Sequence, residues 1–473
     1  MSPPKRREKL ADTLDMPRKR SPLTSLLDAP PVRAAARALV EAVAHESVAR
    51  ALDAKAYERA LREVGRSRGR PLLFPALLAG SGGGARVRLA SGRLLLDFIG
   101  GIGVYAFGHS EPDLLEIAAV AAAADTVFQG HLAPGPEYLR LSRALLRHAG
   151  TRLKHVWLGT CGAIANENAL KLIFQKRAPA DRIVVFEHGF AGRTTTLAEL
   201  TDKPGFREGL PLRGNVLHVP FYDRSDRQST TRSVAALDAH LARYPGQIAG
   251  MLFELVQGEG GICTAPRSFF VALMQRCRAA GIAVWVDEVQ TFARTGELFA
   301  FRTFELEPWV DLATAGKVLQ GSAVLFSKEY NPREGLVAGT YAGSTVGMAV
   351  GARIIERLEA EGYLGRRGKL AALGRLVTRR FAALRRRLPV ALSGHSGMGA
   401  MHAFVPFDGS RDVAMAVLRA CFDEGLFAFS AGAGPTKVRW LLPVNVTDAE
   451  LDTGFAILEK ALRRVAHEWG LPC

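Results

Sequence analysis

The stretch from Ile282 to Lys317 constrains the fold of this chain more than any other. It opens with the letters IAVWV, an unbroken and partly β-branched apolar run, which predicts a strand buried on both faces. Asp287 ends the run, so an acid stands where open α/β sheets bind ligands. Lys317 follows as the only charged side chain between Leu312 and Phe326, and dry surroundings lower the pKa of an amine.

An acid at the end of a buried strand and a lone lysine soon after it suit the chemistry of pyridoxal phosphate. The lysine would form a Schiff base, and the acid would keep the pyridine nitrogen protonated, so that the ring accepts the electrons of a carbanion. The alternative is structural, with Asp287 capping a turn and Lys317 on the surface. These two residues alone leave both interpretations open.

Composition indicates a soluble globular enzyme. The 473 residues allow one large domain with a smaller companion, and 48% apolar and 23% charged residues are ordinary values for this class. No apolar run approaches the roughly 18 residues that cross a bilayer. The five cysteines are scattered and form no CxxC pair, so neither a disulfide framework nor a metal site is predicted, and a reducing cytoplasm is the expected compartment.

The formal charge of +16 raises the question of nucleic acid. About half of the excess lies in residues 351–390, where eleven Lys or Arg face three Glu. Arginines alternate there with Leu, Val and Phe at amphipathic helical spacing, so a solvated helix face is the favoured interpretation and a phosphate-binding surface the alternative.

Pattern and composition divide the chain into segments. We expect a disordered basic tail (1–29), a helical N-terminal extension (30–84), a first part of a small domain (85–110), a large cofactor-binding domain (111–345) and a C-terminal small domain (346–473). Between 155 and 326, strand-like runs alternate with helical segments such as 162–176 and 267–280. That alternation predicts a mainly parallel sheet covered by helices.

Two flanking motifs add to the cofactor hypothesis. In LGTCGAIANENALKL a strand turns through glycine into a helix, where free backbone N–H groups form a ready phosphate site and the small side chains of Cys161 and Ala163 leave room for the phosphate. In FEHGFAGRT, Phe190 follows the next strand and is a candidate to stack on the cofactor ring, the alternative being a core phenylalanine.

Six motifs in order resemble the class III, or omega, aminotransferases, a pyridoxal-phosphate family of fold type I. They are GTCGAIANENALKL, HGFAGRT, FELVQGEGG (253–261), VWVDEVQTFARTG (284–296), ATAGK (313–317) and GTYAGS (339–344). The resemblance covers about 85–460. It implies an α/β fold in which a large domain with a mainly parallel sheet carries a smaller α+β domain built from the N- and C-terminal segments.

The resemblance also implies a role for each matching residue. Lys317 would be the Schiff-base lysine and Asp287 the partner of the pyridinium nitrogen, while Gln290 would bind the phenolic oxygen of the ring. Gly162 and Ala163 would bind the phosphate and Phe190 would stack on the ring. Thr340 would reach the phosphate of the neighbouring subunit, which makes a homodimer with active sites at the subunit interface part of the prediction.

Glu259 and Arg439 match a pair that forms a switchable salt bridge in the ornithine-, acetylornithine-, lysine- and 4-aminobutyrate-type members. Arg439 would clamp a carboxylate, and Glu259 would neutralise it when an amine end arrives; each residue could equally be structural. The chain departs from the family pattern at the shortened turn 291–294, at Ala191 and at Leu255. These departures leave the amino donor open.

The implied function is transfer of an amino group from an omega-amino acid or related amine to 2-oxoglutarate, giving glutamate through a Schiff base at Lys317 and a 1,3-proton shift. One alternative is another chemistry on the same cofactor and fold, such as that of an aminomutase, a racemase or a decarboxylase. A second is a non-catalytic basic protein that binds nucleic acid.

Overall fold

The computed structural model describes residues 26–48, 51–125 and 132–472. The strands of this part are β1 (Leu78–Gly83), β2 (Arg86–Leu89), β3 (Leu94–Asp97), β4 (His155–Gly159), β5 (Arg182–Phe186), β6 (Val216–Val219), β7 (Ile248–Phe253), β8 (Val256–Gln257), β9 (Cys263–Thr264), β10 (Ala283–Glu288), β11 (Leu312–Ala315), β12 (Ser322–Phe326), β13 (Leu392–Met398), β14 (Met401–Pro406), β15 (Leu426–Phe427), β16 (Phe429–Ala431) and β17 (Lys437–Leu441).

The helices surround these strands. They are α1 (Pro30–Val48), α2 (Ala54–Ser67), α3 (Gly100–Gly103), α4 (Pro112–Ala124), α5 (Pro136–His148), α6 (Gly162–Arg177), α7 (Thr195–Leu200), α8 (Pro204–Arg207), α9 (Ser229–Arg243), α10 (Arg267–Ala279), α11 (Ala300–Thr303), α12 (Thr345–Ala360), α13 (Lys369–Arg387), α14 (Arg411–Glu424) and α15 (Asp448–Trp469). Short 3-10 helices lie at Leu26–Asp28, Lys317–Leu319 and Lys328–Tyr330.

A seven-stranded sheet in the order β4-β12-β11-β10-β7-β5-β6 forms the centre of the molecule. β10 pairs in parallel with β7 and β11, and β12 is the strand that runs antiparallel to its neighbours β11 and β4. Every residue of β10 is buried. Val284 and Val286 pack into one core cluster and Trp285 into another, so helices cover both faces, as the unbroken apolar run predicts.

The smaller domain joins the two ends of the described chain. Its four-stranded sheet β1-β2-β3-β15 pairs the C-terminal β15 in parallel with the N-terminal β3. A second sheet, β13-β14-β17-β16, carries Arg439 on β17. The predicted fold class is confirmed: the chain has a large α/β domain with a mainly parallel sheet and a smaller α+β domain from both ends.

The structure corrects the predicted N-terminal boundaries. Residues 1–25 of the predicted disordered tail lie outside the described residues, but Leu26–Asp28 form a 3-10 helix with Leu27 buried, so the tail prediction is wrong for these residues. The helical extension does not reach residue 84, because Leu78–Gly83 pair with β2 as a strand. This strand was not predicted because its sequence is rich in glycine, which is uncommon in strands. Pairing with β2 stabilises it in place of side-chain packing.

Within the basic segment 351–390, α13 presents a helix face to water, as favoured from the sequence, whereas Arg353 and Arg357 of α12 are half-buried in ion pairs with Asp113 and Glu111. α13 buries Leu370, Val377 and Phe381, whereas Arg375 and Arg379 are exposed. No helix in the described ranges is both long and apolar enough to span a bilayer.

Candidate active site

Three loops meet at the carboxyl ends of β4, β10 and β11. A methyl group added at Gly162 would lie 2.6 Å from Cγ1 of Val289, and one added at Gly316 would lie 3.2 Å from the same atom. That methyl at Gly316 would also be 3.5 Å from Cα of Gly162. The start of α6, the turn after β10 and the residue before Lys317 therefore pack against one another, and only glycine fits at Gly162 without displacing Val289.

Lys317 follows β11 in a strained backbone conformation. Its φ of 51° lies in the left-handed region that non-glycine residues rarely adopt, and it begins a 3-10 helix. Burial lowers the pKa of its amine to about 8, and Arg439 contributes to the same direction. An amine with this pKa is neutral in about one molecule in ten at pH 7, far more often than an exposed lysine, and a nucleophilic lysine needs this neutral form.

Asp287 ends β10 with both carboxylate oxygens held. Its Oδ1 accepts the N–H of Val289 at 2.8 Å, and its Oδ2 accepts Nδ2 of Asn166 at 2.7 Å. Burial raises the pKa of Asp287 to about 6, against the effect of these hydrogen bonds. Asn166 escaped the sequence analysis, although its place four residues after Gly162 puts it on the same face of α6.

A second buried acid, Glu254, lies next to the backbone of Phe190 and was also not predicted from the sequence. Its Oε2 accepts the N–H of Phe190 at 2.7 Å, and its Oε1 faces the N–H of Gly258 at 3.4 Å. Burial, followed by repulsion from Asp287, raises its pKa to about 8. One side chain thus links the predicted stacking residue to the loop that carries Glu259.

Glu259 and Arg439 form an ion pair across the two domains. Nη1 of Arg439 lies 2.7 Å from Oε1 of Glu259 and also donates to Gly258 O at 3.2 Å and Gln290 Oε1 at 3.4 Å. Burial alone would raise the pKa of Glu259, but Arg439 and Lys203 hold it below its ordinary value. The buried Nε and Nη2 of Arg439 have no hydrogen-bond partner among the described residues.

The remaining predicted residues are Phe190, Gln290 and Thr340. Phe190 is half-buried, with its ring centroid 6.5 Å from that of Phe206 in an edge-on arrangement. Gln290 faces Arg439 and stays a prediction as a ligand of the ring oxygen. Thr340 is exposed on the segment before α12, and its role toward a neighbouring subunit stays a prediction.

These features fit pyridoxal phosphate. Gly162 and Gly316 let the three loops pack closely against Val289 at the strand ends, and the start of a 16-residue helix offers N–H groups to a phosphate. Asp287 places a buried carboxylate, raised in pKa and therefore in need of a cationic partner, at the end of the central strand. Lys317 supplies the amine. Fold and site together define an enzyme of fold type I that depends on pyridoxal phosphate.

Comparisons with known proteins give the family. The family described as Aminotransferase class-III matches residues 72–462. A probable 4-aminobutyrate aminotransferase of Bacillus subtilis (strain 168) is 31% identical over 412 residues, which are 82% of this chain and 93% of the relative. A 5-aminovalerate aminotransferase of Pseudomonas putida is 32% identical over 398 residues, 79% of this chain and 91% of the relative.

Solved structures agree on the fold. A lysine aminotransferase from M. tuberculosis, in the internal aldimine form, superposes with a TM-score of 0.78 at 24% identity and covers 86% of this chain and 99% of its own. The chain belongs to the class III aminotransferases, and the predicted family, enzyme class and cofactor are confirmed.

Proposed function

We propose that this enzyme moves an amino group from an omega-amino acid or a related amine to 2-oxoglutarate, giving glutamate. The observation that carries the proposal is the ion pair between Glu259 and Arg439, because it joins a fully buried guanidinium to an acid whose side chain is 18% exposed. With Glu259 in place the charge of Arg439 is offset and the pocket accepts an amine end. With Glu259 displaced, Arg439 offers a planar fork to a carboxylate.

The names of relatives support this substrate class. Besides the 4-aminobutyrate and 5-aminovalerate enzymes, an acetylornithine aminotransferase of Gloeobacter violaceus is 31% identical over 404 residues. A diaminobutyrate–2-oxoglutarate transaminase of Vibrio cholerae is 28% identical over 401 residues. These names share an amino group far from a carboxylate, and the last one names 2-oxoglutarate as acceptor.

Each residue of the candidate site has a separate role in the proposed reaction. Pyridoxal phosphate, when bound, supplies an electron sink for the pair left on the substrate carbon. Gly162 and Ala163 would hold its phosphate through their N–H groups, and Asp287, which Asn166 orients by a hydrogen bond, would pair with its ring nitrogen. Lys317, whose pKa burial lowers to about 8, would move the proton of the 1,3 shift: its Nζ would take the proton from the substrate carbon that bears the nitrogen and return it on the other side of that nitrogen.

Two further features belong to the proposal. Thr340 is exposed in the single chain and suits a contact with the cofactor phosphate of a second subunit in a homodimer. The cysteines support a reducing compartment such as the cytoplasm, since the four in the described residues (Cys161, Cys263, Cys277, Cys421) are free.

A donor screen tests the function. The enzyme is incubated with 2-oxoglutarate and single donors of graded chain length, and glutamate formation is followed together with donor loss. We expect equimolar glutamate with at least one omega-amino acid, loss of turnover in Lys317→Ala, and full turnover in the exposed control Lys328→Ala. Donor consumption without glutamate would overturn the proposal in favour of an aminomutase, a racemase or a decarboxylase.

A further inference from the structure

Glu259 has a second cation, and neither the family resemblance nor the predicted site assigns it a role. While Oε1 of Glu259 lies 2.7 Å from Arg439, its Oε2 lies 3.4 Å from Nζ of Lys203. The two cations differ in environment, because the side chain of Arg439 is fully buried and that of Lys203 is 19% exposed. The carboxylate therefore stands between an inner and an outer positive charge.

The backbone holds Lys203 in place independently of Glu259. Its neighbour Asp202 accepts the N–H of His188 at 2.8 Å and donates its own N–H to Gly189 O at 2.9 Å. The ammonium of Lys203 lies 5.5 Å from the centroid of the Phe206 ring. These contacts anchor the backbone of Lys203 on the segment after α7 and keep its ammonium near Phe206, so the lysine is available to Glu259 without a movement of the backbone.

The inner contact of Glu259 is already short and the outer one is long. Charge-assisted N–H···O bonds settle at about 2.7–2.9 Å, so the contact with Lys203 has room to shorten, whereas the contact with Arg439 has none. If a carboxylate from the substrate takes Arg439, Glu259 must leave it, and rotation outward brings its oxygens to Lys203. An acid displaced without such a partner would remain unpaired in a mostly buried pocket.

The geometry points to Lys203 as a positioning residue that receives Glu259 when a dicarboxylate occupies Arg439. This inference rests on the proposed function, since it requires the pair of Glu259 and Arg439 to open. It assigns to Lys203 a part in the dicarboxylate half of the reaction only. An amine donor that leaves the ion pair closed gains nothing from the lysine.

Glutarate provides the test, because this diacid carries neither an amine nor an oxo group and binds without turnover. Its affinity for the enzyme loaded with cofactor is measured by calorimetry. Lys203→Met is expected to bind glutarate about fivefold more weakly, the size of effect that one partly exposed ion pair produces. The control Lys460→Met removes the same charge from α15, where Lys460 pairs with Glu424, and is expected to bind like the wild type.

A double-mutant cycle separates action through Glu259 from direct contact with the ligand. In the Glu259→Gln background there is no charged acid to receive, so Lys203→Met is expected to change glutarate affinity by less than about twofold. A loss as large as in the wild-type background would overturn the inference, because Lys203 would then bind the ligand itself. Unchanged affinity in the single variant Lys203→Met, or absence of glutarate binding to the wild type, would overturn it as well.

The outcomes distinguish this inference from the proposed function. Wild-type enzyme that forms glutamate while its glutarate affinity ignores Lys203 contradicts the inference alone. Enzyme that shows the predicted cycle but transfers no amino group to 2-oxoglutarate contradicts the proposed function and leaves the role of Lys203 intact.

Discussion

Replacing Asn166 by alanine tests how a neighbouring side chain sets the pKa of Asp287, the acid proposed to pair with the cofactor. Nδ2 of Asn166 donates at 2.7 Å to Oδ2 of Asp287, and the same group donates at 2.7 Å to Ala191 O. In Asn166→Ala the carboxylate keeps the N–H of Val289 at 2.8 Å and loses its side-chain donor. The anionic form of Asp287 is therefore destabilised relative to the neutral form.

The expected shift follows from the energy of the lost bond. A hydrogen bond to a charged group contributes about 1.5–3 kcal/mol, and one pKa unit corresponds to about 1.4 kcal/mol. The pKa of Asp287, about 6 because of burial, should rise by about one to two units. An acid with a raised pKa is anionic only above that higher value, so at pH 7 half or more of the variant would carry a neutral Asp287.

The assay is the dissociation constant of pyridoxal phosphate as a function of pH. Wild-type affinity should weaken as the pH falls through about 6, and in Asn166→Ala the weakening should begin one to two units higher. Asn215→Ala is the matched control, since Nδ2 of Asn215 donates to Oδ2 of Asp181 at 2.8 Å on the exposed surface. If cofactor affinity falls over the same pH range in the wild type, Asn166→Ala and Asn215→Ala, the role assigned to Asn166 is refuted.

Four further predictions follow from the site. Cofactor attachment to apoenzyme should speed up as pH rises through about 8, where Lys317 loses its proton; a rise centred near the ordinary value of 10.5 would contradict the effect of burial. Gly162→Ala should weaken cofactor binding at least tenfold, because its methyl meets Val289 at 2.6 Å, and Val289→Ala should restore part of it; no rescue would show that the contact is not the cause. Asp287→Asn should bind cofactor but lose about two or more orders of magnitude in kcat, since an unprotonated ring is a poor electron sink; near-normal kcat would count against the pairing. Arg439→Met should slow the half-reaction with 2-oxoglutarate about 100-fold more than that with an omega-amine, measured by single-turnover absorbance; equal losses would exclude the switch.

Long apolar runs made much of the central sheet predictable. Strands β4, β5, β7, β10 and β12 each lie within two residues of the apolar runs that predict them, which are 155–158, 183–186, 250–255, 282–287 and 323–326. Strands in the middle of the sheet have few polar positions to interrupt such a run. β6 and β11 were not expected. β11 has the letters LATA, and it becomes a strand because β10 and β12 pair with it on either side.

Residues of the candidate site were predictable only where a sequence motif contained them. Gly162, Asp287 and Lys317 lie at strand ends, where position along the chain already indicates a place at one edge of the sheet. Lys203 gave no such signal, whereas Glu254 directly follows β7 inside the FELVQGEGG motif and was overlooked. The ion pair of Lys203 with Glu259 spans 56 residues, and the hydrogen bond of Glu254 to Phe190 spans 64, so each exists only after the loops fold over one another.

Arg439 belongs to the C-terminal sheet, whereas Lys317 and Asp287 belong to the central one. In the proposed function Arg439 binds the far end of the substrate, so the distance from the reacting carbon to that end spans the boundary between the two sheets. Substitutions that shift β17 relative to the central sheet would change the preferred length of the donor without contact with a reacting atom. New donor preferences can therefore evolve at the boundary between the two sheets while the chemistry stays constant.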